Sequence, residues 1–324
     1  MRYSASEKIE VIRTVEWSHL SARQTLDKIG IPRTTFYRWY DRYLTGGFDA
    51  LEDRQPHPGK VWNRIPDIVR QQIIDLALDE PELSPRELAV RFTDTKGYFI
   101  SEASVYRILK AANMITSPAY VVIKAADEFK DKPSRVNEQW QTDFTYFKIK
   151  GWGWYYLSTI LDDYSRYVIS WRLCSTMKAK DVTDTLEQAL EASGCNNETS
   201  MPRLLSDNGS SYVAEELADF LKAKHMGHVR GRPYHPQTQG KIERWHQTLK
   251  NRILLDNYYL PSHLEHQIGE FIRYYNQHRY HESLNNLTPA DIYFGRGPEI
   301  LKRRRKIKIK TLKQRALQHH ANAA

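Results

Sequence analysis

The fold is constrained most by what begins near Asn137. The segments EQWQTDFTYFKI (138–149), WYYLSTILD (154–162) and RYVISWRL (166–173) are consecutive runs rich in aromatic and β-branched residues, with DDYS as the turn between the last two. After them helical and strand patterns alternate: KAKDVTDTLEQALEA, RLLSD, AEELADFLKAKHM, HVRGR, and a long helix from about Gln239 to Leu255. Three strands in succession followed by this alternation predict an α/β core, a mixed sheet flanked by helices.

The chain ahead of that core reads as all-α. Ile9, Ile12 and Val15, then Leu20, Leu26 and Ile29, fall at helical spacing. Ser21 is placed to cap a second helix that Gly30 ends, and Pro32 precedes a third helix, TTFYRWYDRYL, that stops at Gly46-Gly47. This is the layout of a helix-turn-helix, whose last helix would offer Arg33, Thr34, Thr35, Tyr37 and Arg38 to the major groove of DNA. A plain three-helix bundle with a polar face is the alternative. Residues 51–65 carry two prolines and a glycine among polar residues and read as a linker. A second helix-turn-helix follows, with Ser104 and Arg107 as candidate contacts. The expected domains are therefore 1–50, the linker 51–65, 66–134, a catalytic core at 135–258, and a C-terminal helical segment with a basic tail at 259–324.

Charge and cysteines narrow the function classes. The net charge is +9, and nine basic residues follow Glu299 with no acid among them, including Arg303, Arg304 and Arg305. Such an arm fits a polyanionic partner, since neutralising phosphates releases counterions; a solvated, disordered end is the alternative. Two cysteines are too few for a disulfide framework or a four-cysteine zinc site. No stretch approaches the length of a membrane span, so a cytoplasmic protein with no membrane partner is expected.

Three acids stand out by position. Asp143 lies mid-strand among residues that belong in a buried sheet, where a charge needs a partner or a cation. Asp207 closes the short strand RLLSD, and strand ends are where ligands gather in such sheets. Glu243 lies early in the long helix beside the apolar line Ile242, Trp245, Leu249 and Ile253. Carboxylate oxygens from several elements suit paired Mg²⁺ ions acting on a phosphodiester. A turn former at Asp207 and a surface charge at Glu243 are the structural alternatives.

The blocks WQTDFTYF, LDDYSRYVISW, LLSDNGSSYVAEEL and YHPQTQGKIERWHQTLK, in that order, resemble the retroviral-integrase-like catalytic core of bacterial insertion-sequence transposases. Between Asp207 and Glu243 lie 35 residues, the spacing for which that family's Asp-Asp-35-Glu triad is named. The resemblance covers about 135–298, and includes YNQHRYHESLNNLTPADIYFG, where Thr288 and Pro289 are placed to start a short helix. It implies an RNase H-like fold with Asp143 on the first strand, Asp207 after the fourth and Glu243 on a helix. It also implies Mg²⁺ or Mn²⁺, two ions, held by these three residues. Lys250 stands where the family places a basic residue two helical turns after the Glu, and Arg244 is a further candidate DNA contact; a solvated charge is the alternative for Lys250. The His/His/Cys/Cys unit that opens retroviral integrases has no counterpart.

The implied activity is that of a DNA transposase, cutting at transposon ends and joining the freed strand to target DNA without a covalent enzyme intermediate. Its partners would be double-stranded DNA and further copies of itself. A sequence-specific DNA-binding regulator derived from a transposase is the competing reading. An RNase H-like nuclease for hybrids is disfavoured by the two amino-terminal modules.

Overall fold

The computed structural model describes residues 3–52, 63–115, 133–195, 201–231 and 240–321. It divides into two compact units, one up to Arg64 and one from Ile65 onward. Most of the linker expected at 51–65 lies outside the described residues, as does Gln239.

The first unit holds α1 (Ala5–Trp17), α2 (Ala22–Ile29) and α3 (Arg33–Gly46). Ser4 and Ser21 close capping boxes with Glu7 and Gln24, each cap contributing about 1 kcal/mol. Gly30 ends α2 at φ 75°, a left-handed backbone that costs a glycine least. The helices enclose Ile9, Ile12, Leu26, Ile31, Phe36, Trp39 and Leu51.

The second unit opens with another helical trio, α4 (Asp67–Asp79), α5 (Pro85–Lys96) and α6 (Glu102–Ala111), around Ile73, Leu88, Phe92 and Val105. The core follows: β1 (Gln139–Ile149), β2 (Gly153–Asp162), β3 (Val168–Cys174), α7 (Ala179–Ser193), β4 (Arg203–Ser206), α8 (Ser210–Val213), α9 (Glu215–Ala223), β5 (His228–Arg230) and α10 (Gly240–Ile253). The strand order is β3-β2-β1-β4-β5; the first three pair antiparallel, while β4 joins β1 and β5 joins β4 in parallel. This mixed sheet is sandwiched. One face packs Trp140, Ile160 and Leu204 against Val182, Leu186, Leu217 and Leu221 of α7 and α9. The other packs Phe147, Leu157 and Leu161 against Ile242, Trp245, Leu249 and Ile253 of α10.

The chain continues into α11 (Pro261–Gln277), α12 (Pro289–Tyr293) and α13 (Gly297–Ala321). Leu264, Ile268, Ile272 and Tyr275 of α11 belong to the same apolar cluster as α10 and the sheet, so no break in the core falls at the expected boundary of residue 258. Thr288 caps α12 with Pro289 in its first turn.

The basic tail does not take the form of the solvated, disordered end that was its alternative reading. Residues 297–321 form one helix that lies against the second helical trio. Arg304 grips both carboxylate oxygens of Asp94 at 2.8 and 2.6 Å and donates to the Asn286 carbonyl at 2.8 Å. Further along, Thr311 accepts from the Phe99 amide, and Arg315 donates to the Tyr98 hydroxyl and the Phe99 carbonyl. Residues 304, 311 and 315 follow one another after about two turns and then about one, so one side is committed to packing while Lys302, Arg303, Arg305, Lys306, Lys310 and Lys313 are exposed. Among the described residues no helix is long and apolar enough to cross a membrane.

Candidate active site

The site begins with the β1–β4 ladder. Gln139, Trp140 and Gln141 pair with Arg203, Leu204 and Leu205. The same register carried two residues further sets position 143 opposite position 207, so both aspartates sit just past the last paired rung on neighbouring strands. Adjacent strands are about 4.8 Å apart. The two charges feel one another: the Asp207 pKa is raised by the packed chain around its carboxyl and then by the Asp143 carboxylate, while the Gly209 amide, donating to Oδ1 at 2.8 Å, opposes the shift. Because Asp207 itself reaches solvent, this marks like-charge proximity and not a large strain. Tyr212 of α8, fully enclosed, is driven well above the usual tyrosine pKa by burial and by the same two carboxylates.

Helix α10 brings the third acid. Its first turn is fastened to the sheet by Asp163, which is 3% exposed. The Asp163 carboxylate accepts from the amides of Gln139 (3.1 Å) and Gln141 (2.8 Å) and pairs with Lys241 Nζ at 2.7 Å. Gln141 in turn accepts from the Ile242 amide at 3.0 Å, capping one of the free N–H groups at the helix start. Glu243 follows directly. One turn on, on the same face, His246 is buried with Nδ1 3.4 Å from Asp143 Oδ2.

Of the three acids, the structure therefore sets Asp143 and Asp207 together and holds Glu243 on an adjoining helix, exposed to solvent. Among the described residues no group of three or more His, Cys, Asp or Glu side chains is close enough to share a metal ion.

The remaining candidates separate. Arg33, Thr34, Tyr37 and Arg38 are exposed on the first turns of α3, with Thr35 half-buried. Ser104 is half-buried and bonded to Ser101, the cap of α6; Arg107 is exposed. Arg244 is exposed, and Lys250 lies with Nζ 4.4 Å from the centre of the Tyr146 ring. Arg303 and Arg305 are exposed, whereas Arg304 is a correction: its guanidinium is occupied by Asp94 and backbone carbonyls. Sequence reasoning missed Gln141, Asp163, Lys241 and His246. Two signals were present: Gln141 shares a strand face with Asp143, and His246 stands three residues after Glu243.

Comparison with known proteins adds the lineage. Residues 133–236 match the integrase core domain family, and 224–289 a second integrase core domain family. Residues 35–109 match a homeodomain-like domain and 7–60 a helix-turn-helix domain. The transposase for insertion sequence element IS904 of Lactococcus lactis subsp. lactis (strain IL1403) is 29% identical over 164 residues, covering 49% of this chain and 62% of that protein. The InsK protein of insertion sequence element IS150 of Escherichia coli (strain K12) is 31% identical over 161 residues, covering 49% of this chain and 56% of that protein. The chain thus spans less than two thirds of the length of these relatives. Among solved structures, the catalytic core domain of HTLV-2 integrase in complex with magnesium is 24% identical, covering 49% of this chain and 98% of that one, with a TM-score of 0.40. The chain carries an integrase core domain behind helix-turn-helix domains and is homologous to insertion-sequence transposases.

Proposed function

We propose that this integrase-core chain is a DNA transposase that cuts the ends of a mobile element and joins them to target DNA. The observation that carries the reading is the placement of Asp143, within β1, beside Asp207, just past the end of the parallel strand β4, with Glu243 on a helix clamped to β1. The donor set fits divalent metal ions: hard carboxylate oxygens on a strand, a strand end and a helix, with the Asp207 pKa raised by burial and by the Asp143 carboxylate, a penalty that a cation would relieve. Asp143, Asp207 and Glu243 would hold Mg²⁺ or Mn²⁺, two ions. When bound, such ions supply an activated oxygen nucleophile and stabilise the departing oxygen of the phosphodiester.

The chain's own residues do the rest. Asp163, Gln141 and Lys241 hold the start of α10 so that Glu243 need only reorient its side chain. His246, with Nδ1 3.4 Å from Oδ2, steadies the Asp143 carboxylate. The exposed residues of α3 and Arg107 of α6 read the element ends, while Arg244, Lys250 and the outer face of α13 bind phosphates. Hydrolysis at the element end frees a 3′-hydroxyl, which then attacks a target phosphodiester. Two ends must meet, so copies of the chain act together, in the cytoplasm on bacterial DNA.

A strand-joining assay on a labelled element-end duplex with Mg²⁺ or Mn²⁺ tests this. Joined product with the native chain, lost in Asp207→Asn while duplex binding persists, is the expected result. Binding to the element end without joining by the native chain would instead make it a DNA-binding regulator.

A further inference from the structure

Beyond Gln141, the edge of β1 facing away from β2 has no strand partner among the described residues. The β1–β2 hairpin beside it carries exposed aromatic rings. Tyr146 is 54% exposed and Trp154, on the adjoining strand, 50% exposed. Their rings meet edge to face at 5.4 Å. Lysines approach both rings: Lys250 of α10 lies 4.4 Å from the Tyr146 centroid and Lys148 lies 5.7 Å from the Trp154 centroid.

We infer that the Tyr146–Trp154 pair, with Lys148 and Lys250, is a stacking platform for unpaired bases of a DNA strand passing the active site. Aromatic faces flanked by cations form a surface suited to single-stranded nucleic acid: bases stack on the rings and phosphates meet the ammonium groups, whatever the sequence. Trp152, in the turn before Trp154, is exposed as well, and the lysines beside both rings favour a polyanionic strand over a protein partner. The position agrees with the use. Tyr146 lies three residues beyond Asp143, about 10 Å along β1 but on the opposite pleat, and Lys250, whose Nζ meets the Tyr146 ring, lies seven residues beyond Glu243, also about 10 Å along α10. The platform is therefore on the order of 10 Å from the carboxylates. A strand opened at that distance leaves its reacting phosphate free to enter the site.

The assignment of the strand's end to the carboxylates rests on the transposase reading; the platform itself does not. The test uses the full chain with fluorescein-labelled dT15 and, separately, a duplex of the same length. Tyr146→Ala/Trp154→Ala should weaken dT15 binding by at least about fivefold, the lower limit for one stacked base, with the duplex affinity and the melting temperature little changed. Trp154→Phe, which keeps an aromatic face, should restore most of the loss when combined with native Tyr146. Equal dT15 affinity in the double variant would overturn the platform. So would a shift of the native chain from oligomer to monomer on making the double variant, which would identify the surface as a protein interface. Absence of strand joining by the native chain, with the dT15 result as expected, would remove the transposase reading and leave the platform standing.

Discussion

Lys241 Nζ lies 2.7 Å from both Oδ1 and the backbone carbonyl oxygen of Asp163, tying the first turn of α10 to the turn between β2 and β3. The Asp163 carboxylate is nearly enclosed, yet two glutamine amides also donate to it, so removing the lysine leaves it partly satisfied. Lys241→Met should therefore cost about 1–3 kcal/mol of stability. The larger effect should fall on turnover: strand joining slows at saturating DNA while affinity for the element end holds, because the helix start that carries Glu243 loosens. A fall in DNA affinity with unchanged turnover would count against a positioning role.

The burial of Asp207, together with its neighbour Asp143, predicts an effect without DNA. Asp207 has its pKa raised in the folded chain, so it holds its proton more tightly there than when unfolded, and stability from this group falls as pH rises through the folded value. Asp207→Asn removes that penalty. At neutral pH the variant should melt higher than the native chain in chelator and show no further rise with Mg²⁺, whereas the native chain should rise with Mg²⁺. A native melting temperature indifferent to Mg²⁺ and Mn²⁺ would argue that the pair holds no cation.

How much of this was legible in the sequence differs by element. The sheet and its helices were readable because β1, β2 and β3 carry β-branched and aromatic runs and α7 and α9 keep a clean apolar face. The convergence of positions 143 and 207 was not, since it depends on the parallel register of β1 and β4, and register between distant strands is set by the whole core. The role of Asp163 was hidden for a similar reason: DDYS reads locally as a turn, and only the tertiary approach of Gln141 and Lys241 reveals the clamp. The packing of the tail was hidden because its inner residues Arg304, Thr311 and Arg315 are polar, so no apolar stripe announced that the helix packs.

That packing separates two kinds of basic residue on α13. Arg304, nearly enclosed with Asp94, should be structural: Arg304→Ala strands a carboxylate and should cost about 3 kcal/mol, read by denaturant unfolding. Replacing the exposed Lys302, Arg303, Arg305, Lys306, Lys310 and Lys313 with glutamine should leave stability nearly unchanged and flatten the salt dependence of DNA binding by about 0.9 for each phosphate that is no longer neutralised. An unaltered slope would remove α13 from the DNA-binding surface.

Acid should also act on a buried histidine. Burial, reinforced by Arg166, Arg279, Arg86 and Arg244, brings the pKa of His281 down to about 3. Below the ordinary histidine value of about 6.5 the unfolded chain takes up the proton first, so stability falls as pH drops from there toward 3, by at most about 1.4 kcal/mol per pH unit. His281→Gln should show a smaller loss between pH 7 and pH 4.5 in urea unfolding. An identical loss in both proteins would contradict the assignment.

On the proposed mechanism, strand joining requires the three carboxylates to share metal ions once DNA is in place. Anomalous diffraction from crystals of the chain bound to an element-end duplex and grown with Mn²⁺ measures this directly. The expected result is manganese density bridging Asp143 and Asp207, with Glu243 turned inward to complete the ligand set. Manganese absent from that site, or Glu243 still directed to solvent with the scissile phosphate seated, would contradict the shared-metal mechanism.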